Sequence, residues 1–250
     1  MVFSEEADVI KNPKTLAVAA AVSAVLVMLS GTSPASASGR TGGVPSSATP
    51  DDGDQQSRAF MTQYGVDPQT QDDLLQGLAA GILPLSDTPD ASPVRSIDTI
   101  EPGFIVTINH FADGSVSVLR RETPSDTVEE GHPQARGISG CSISSGSGYQ
   151  TYTNCIVDYQ STSFRFGFKA NFTIVQGSYN DYISSVHSWY LSYAILHTYV
   201  SHTLQIDKKN ESSSGPALAS LVILFETTGG FLSISRATYL SVGSNSYWQS

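Results

Sequence analysis

Phe164-Arg165-Phe166-Gly167-Phe168-Lys169-Ala170-Asn171-Phe172-Thr173-Ile174 is the stretch that decides the fold class. Its apolar side chains occupy every second position. A period of two puts them all on one face of an extended strand, with a wet face opposite. Further runs rich in aromatic and β-branched residues follow at Tyr190–Val200, Leu218–Phe225 and Phe231–Val242. Ser212-Ser213-Ser214-Gly215-Pro216 and Gly229-Gly230 punctuate them. Toward the amino end, Phe104–Ala112 and Ser115–Leu119 flank Asp113-Gly114, a pair that predicts a two-residue hairpin with a type I′ turn. About seven to nine antiparallel strands with little helix predict a mainly β fold. The expectation is an antiparallel β-sandwich or partly closed barrel with one short N-terminal helix.

That helix is expected after Tyr64-Gly65-Val66. Asp67 serves as N-cap, Pro68 as the first helical residue, and Asp72 and Asp73 sit in the early turns, where negative charge suits the helix dipole. Leu74, Leu75 and Leu78 form one apolar face, and Gly81 is the stop. Residues 38–58 are rich in Gly, Ser, Thr, Pro and Asp, a composition that predicts a disordered leader. The division is then 59–98 for the helical segment and a Pro-rich linker, and 99–250 for the β-rich domain. Within that domain come the hairpin 104–120, a linker 122–137 and a disulfide-closed β core 138–250.

The first residues predict export. Lys11 and Lys14 precede the apolar stretch Leu16–Leu29, and Ala35-Ser36-Ala37 supplies the small-x-small pattern of a signal peptidase site. Cleavage is expected between Ala37 and Ser38, so residues 1–37 are the signal peptide. The apolar stretch is shorter than the roughly 20 residues needed to span a bilayer; the alternative is an uncleaved signal anchor. In an exported chain, the two cysteines, Cys141 and Cys155, read as one disulfide.

Charge excludes some partners. From Ser38 to Gly140 there are six arginines against fifteen acids, and from Cys141 onward five basic residues against five acidic. The net charge of −10 and the lack of a basic cluster argue against nucleic acid, whose affinity comes from neutralised phosphates. They also argue against anionic membrane surfaces once the signal is removed.

No catalytic set, cofactor site or metal site assembles in the sequence. The five histidines are His110, His132, His187, His197 and His202. In a regular strand His197 and His202 face opposite ways. His187 and His197 share parity but stand roughly 33 Å apart if the chain between them is extended. Gly146-Ser147-Gly148 between the cysteines is expected as a loop tip, without the strand-to-helix turn of a nucleophile elbow. The acids available to a hydrolase in the β-rich half are Asp158, Asp181, Asp207, Glu211 and Glu226, with Asp181 and Glu226 the leading candidates for paired carboxylates.

One surplus points to binding. Tyr149, Tyr152, Tyr159, Tyr179, Tyr182, Trp189, Tyr190, Tyr247 and Trp248 outnumber what one buried face requires. Exposed aromatics stack on sugars or grip peptides, whereas tyrosine also populates strands by propensity alone.

Tyr64-Gly65-Val66 with Thr70-Gln71, the run Asp113-Gly114-Ser115-Val116-Ser117-Val118, and Gly140-Cys141 to Asn154-Cys155 with Gly146-Ser147-Gly148-Tyr149 between them carry a resemblance. Over most of residues 60–240 the chain resembles a group of secreted actinobacterial proteins of unknown function. The resemblance implies an exported β-domain with one disulfide and transfers no functional residue. The expectation is therefore a secreted, non-enzymatic β-domain that binds cell-wall glycan or another extracellular protein. The alternatives are a hydrolase whose acids converge only in three dimensions and a structural envelope component.

Overall fold

The computed structural model describes residues 50–123, 140–227 and 233–250. The expected signal segment with its Ala37–Ser38 cleavage position, the leader before residue 50, most of the 122–137 linker with His132, and Gly229-Gly230 lie outside the described residues.

Two helices, α1 (Pro50–Gln63) and α2 (Pro68–Ala79), come first. The strands are β1 (Arg95–Glu101), β2 (Phe104–His110), β3 (Val116–Glu122), β4 (Ser142–Gly146), β5 (Tyr149–Ser161), β6 (Phe164–Val175), β7 (Tyr182–Ala194), β8 (His197–Lys208), β9 (Ala217–Thr227), β10 (Ser233–Gly243) and β11 (Ser246–Gln249). They form two antiparallel sheets. The larger runs β1-β2-β3-β5-β6-β7 with β4 also beside β5, and the smaller runs β11-β10-β9-β8. Neither closes into a barrel.

The alternation in β6 explains how the sheets meet. Phe164, Phe166, Phe168, Ala170 and Phe172 are buried, and they share one core with Leu221, Ile223 and Phe225 of β9 and Leu240 and Val242 of β10. Each of the larger side chains contributes roughly 1.5–3 kcal/mol by leaving water, and the result is a β-sandwich. The opposite face of β6 is not the wet face expected. Gly167 and Thr173 are buried and Arg165 is half-buried, because the Tyr190 ring of β7 lies across Gly167. A Cβ there would stand 2.5 Å from the Val157 carbonyl and 2.6 Å from the Tyr190 hydroxyl.

The helices cover another part of that outer face. Phe60, Met61, Val66 and Leu74 pack on Val106, Val116 and Val118, and Leu78 packs on Tyr193 and Ile195. The Asp67 carboxylate caps α2 by accepting the Thr70 N–H at 3.0 Å, as the Asp67-Pro68 pair predicts. Helix α1 corrects the disordered leader at its carboxyl end: ordered helix begins at Pro50, so two helices stand where one was expected. Asp52 and Asp54 lie near its start, where negative charge suits the helix dipole. Buried contacts of Phe60 and Met61, together with the Ser57 hydroxyl donating to the Thr162 carbonyl at 2.7 Å, hold it to the sheet. The expected linker also shortens, since β1 starts at Arg95.

The 104–120 hairpin forms, extending to Glu122, but its turn is not type I′. Gly114 alone has positive φ, at 81°, and its N–H reaches the Phe111 carbonyl while the Phe111 N–H reaches that of Ser115. This is a type I turn closed by a left-handed glycine. Asp113 keeps an ordinary conformation because its carboxylate accepts from the Ser115 N–H at 3.0 Å and the Leu85 N–H at 2.7 Å.

Cys141 and Cys155 are disulfide-bonded, tying the start of β4 to β5 across the Ser147-Gly148 tip. Strands β3 and β4 lie end to end along one edge of β5. The junction is filled by Glu122, fully buried, whose carboxylate accepts the Cys141 N–H at 3.3 Å and the Ile156 N–H at 3.0 Å.

Candidate functional site

Most of the aromatic surplus is structural. Tyr152 stacks on Phe172 with centroids 4.6 Å apart, and Tyr247 packs against both. Tyr159 packs on Phe166. Tyr190 donates to Asp158 Oδ1 at 2.8 Å, and Tyr182 is half-buried. Tyr149, Tyr179 and Trp248 are exposed, each on a separate part of the chain.

One surface cluster remains, and irregular backbone builds it. The apolar run Tyr190–Val200 does not form a single strand. It breaks at Ile195-Leu196, where Leu196 has φ 56° and the chain leaves the larger sheet to enter the smaller. The reversal lies between His187 and His197, so those residues are not spaced as along one extended strand. In β8, Tyr199 pairs with Phe225 and Ser201 with Leu224, leaving Val200 as an extra residue. Such a bulge changes parity beyond it. His197 and His202 therefore share a face, correcting the opposite-face expectation. His197 lies inside, its ring 4.9 Å from that of Phe164.

Tyr199 and His202 meet across the bulge, the phenol oxygen 2.7 Å from Nδ1. Both rings lie against Trp189 of β7. The indole is stacked with Tyr199 at 5.6 Å and 17° between planes, and its centroid is 3.9 Å from that of His202 at 32°. Tyr199 is 36 % exposed, and Val200 and Leu196 beside it are exposed as well. Burial holds the His202 imidazole below its ordinary value of 6.5, which favours the neutral ring against the indole. The three rings form an aromatic platform at the edge where β7 and β8 turn from one sheet into the other. Sequence reasoning singled out Trp189 for this surface and missed Tyr199 and His202 as its partners, because no local residue pattern announces the bulge.

The candidate acids are placed differently. Asp181 is buried and accepts from the Val175 N–H at 2.7 Å and the Asn245 N–H at 2.9 Å. Glu211 accepts from the Ser244 N–H at 2.7 Å and the Asp181 N–H at 3.4 Å. These two carboxylates fasten turns at one end of the sandwich. Glu226 is exposed and pairs with Thr198 and Ser233 toward the other end of β8, roughly 30 Å away by strand rise. Asp181 and Glu226 do not converge. Asp158 accepts from Arg165 at 3.2 Å and from Tyr190. Asp207 accepts from Gln205.

No family model, curated protein or solved structure matches this chain. Among the described residues no three His, Cys, Asp or Glu side chains gather as metal ligands, and no helix is long and apolar enough to cross a membrane.

Proposed function

We propose that the chain is an exported, non-enzymatic binding domain that contacts cell-wall glycan through Trp189, Tyr199 and His202. The observation that carries this reading is the meeting of three rings at one edge of the sandwich, where Tyr199 is exposed and Trp189 and His202 are half-buried. Aromatic faces complement the apolar faces of sugar rings, and stacking on them removes apolar surface from water at roughly 25 cal/mol per Å². The disulfide supports an oxidising destination, and the signal-like first residues supply the route to it.

Co-sedimentation of the chain with insoluble cell-wall glycan tests the proposal. The wild type is expected in the pellet, with Y199A weakening retention up to about tenfold, as a lost ring contact implies. Equal retention of wild type and Y199A would reject the platform. Retention by wall-associated protein, with none by protein-free glycan, would replace glycan with an extracellular protein as the partner.

A further inference from the structure

A second site lies apart from the platform, in a pocket of about 400 Å³ lined by Asp87, Asp90, Tyr159, Arg236 and Tyr239 among others. Its acid is held in place by a chain of contacts. A 3-10 turn over Leu85–Asp87 is fixed to the β2–β3 hairpin by the Leu85 N–H on Asp113 and the Ser86 N–H on Ser115 Oγ. The Tyr159 hydroxyl donates to the Ser86 carbonyl at 3.0 Å. Asp87 is thereby set at the mouth of the sandwich, where its Oδ2 accepts the Ser163 N–H at 3.2 Å.

Arg236 stands on the inward face of β10, its guanidinium 5.6 Å above the Phe164 ring. One of its nitrogens, Nη1, donates to the Ser235 carbonyl at 2.8 Å. Both side chains are more than nine-tenths buried, and both keep unpartnered polar atoms: Oδ1 of Asp87, and Nε and Nη2 of Arg236. His197 Nε2, on a neighbouring side chain, is also without a hydrogen-bond partner. No ion pair joins Asp87 to Arg236 among the salt bridges of the described residues.

Buried polar atoms in native proteins nearly always have partners, and one carboxylate and one guanidinium sharing a pocket prescribe what such a partner looks like. Nε–H and Nη2–H form the parallel fork that takes a carboxylate through two bonds. Oδ1 requires a donor, best a charged one. A plain anion would face Asp87 and the exposed Asp90 at the rim, and a plain cation would face Arg236. A molecule carrying both charges on adjacent atoms answers both groups and leaves the buried charge balanced. We propose that this pocket binds a free α-amino acid, its carboxylate on Nε and Nη2 of Arg236 and its ammonium on Oδ1 of Asp87. The volume lies within the range of small-ligand pockets.

Saturation-transfer NMR on the wild-type chain with the free amino acids tests this without depending on any variant's folding. At least one is expected to bind. Its N-acetyl derivative and its methyl ester, each lacking one of the two charges, are expected to bind about tenfold or more weakly, the loss of one charge-assisted contact. D87N should then weaken the free amino acid while leaving its N-acetyl derivative, which has no ammonium, unchanged, and R236K should weaken the free amino acid while leaving its methyl ester, which has no carboxylate, unchanged. Silence from every amino acid, or equal binding of the free and N-acetylated forms, would overturn the proposal. Neither outcome bears on the platform, since Trp189, Tyr199 and His202 do not line the pocket.

Discussion

Tyr199 and His202 share one face of β8 and join through 2.7 Å between phenol oxygen and imidazole Nδ1, although three positions of regular strand would set them on opposite faces. The Val200 bulge reconciles the two facts. Because His202 lies 3.9 Å from Trp189, its protonation is expected to quench indole emission. In W248F, which leaves Trp189 as the sole tryptophan, fluorescence should fall on acidification with a midpoint below 6.5, the side to which burial moves His202. H202Q should abolish the transition. A midpoint above 6.5, or one that survives H202Q, contradicts this geometry.

The disulfide between Cys141 and Cys155 closes the β4–β5 hairpin. Removing it with C141S/C155S is expected to cost about 3 kcal/mol, the chain-entropy value for a loop of about 15 residues. Urea denaturation measures the loss. The double variant and the reduced wild type should unfold at similar midpoints.

Glu122 serves two backbone N–H groups at the junction of β3 and β4. E122A strands both donors in a buried position and is expected to cost about 1–3 kcal/mol for each group left without a partner. E122Q retains a carbonyl acceptor and should cost less. An E122A variant as stable as the wild type would show that water serves these groups equally well.

Burial pushes the Asp87 carboxyl above its ordinary 3.8, with hydrogen bonds from Ser161 and Ser163 and the charge of Arg236 opposing. Where folding raises a carboxyl's value, the folded chain keeps a proton that the unfolded chain releases. The Asp87 contribution to stability is therefore full below 3.8 and declines as pH rises through the folded value, then levels off. D87N removes this slope. Denaturation midpoints from about pH 3 to about pH 8 should converge or cross for wild type and D87N, and curves parallel throughout would contradict the shift.

The strands and core were legible because Phe164–Ile174 alternates without interruption, and the second helix because Asp67-Pro68 marks its start. The pairing of Cys141 with Cys155 was legible because the chain holds no other thiol. What escaped depended on distant contacts. Helix α1 is polar along most of its length, and its place is set by Phe60, Met61 and Ser57 against a sheet that the local composition does not mention. The outer face of β6 looked wet because Arg165 and Lys169 are charged, yet Tyr190 and Asp158 arrive from neighbouring strands to cover part of it. The reversal at Ile195-Leu196 carries no glycine or proline, and the Val200 bulge follows it within an unbroken β-rich run. The aromatic platform depends on both.

Titration of the isotopically labelled chain with soluble cell-wall glycan fragments, followed by amide correlation spectra, tests the binding proposal most directly. Perturbations are expected at the Trp189 indole N–H and the amides of residues 197–203, with the rest of the sandwich unchanged. Saturating glycan that leaves those signals in place would contradict the account.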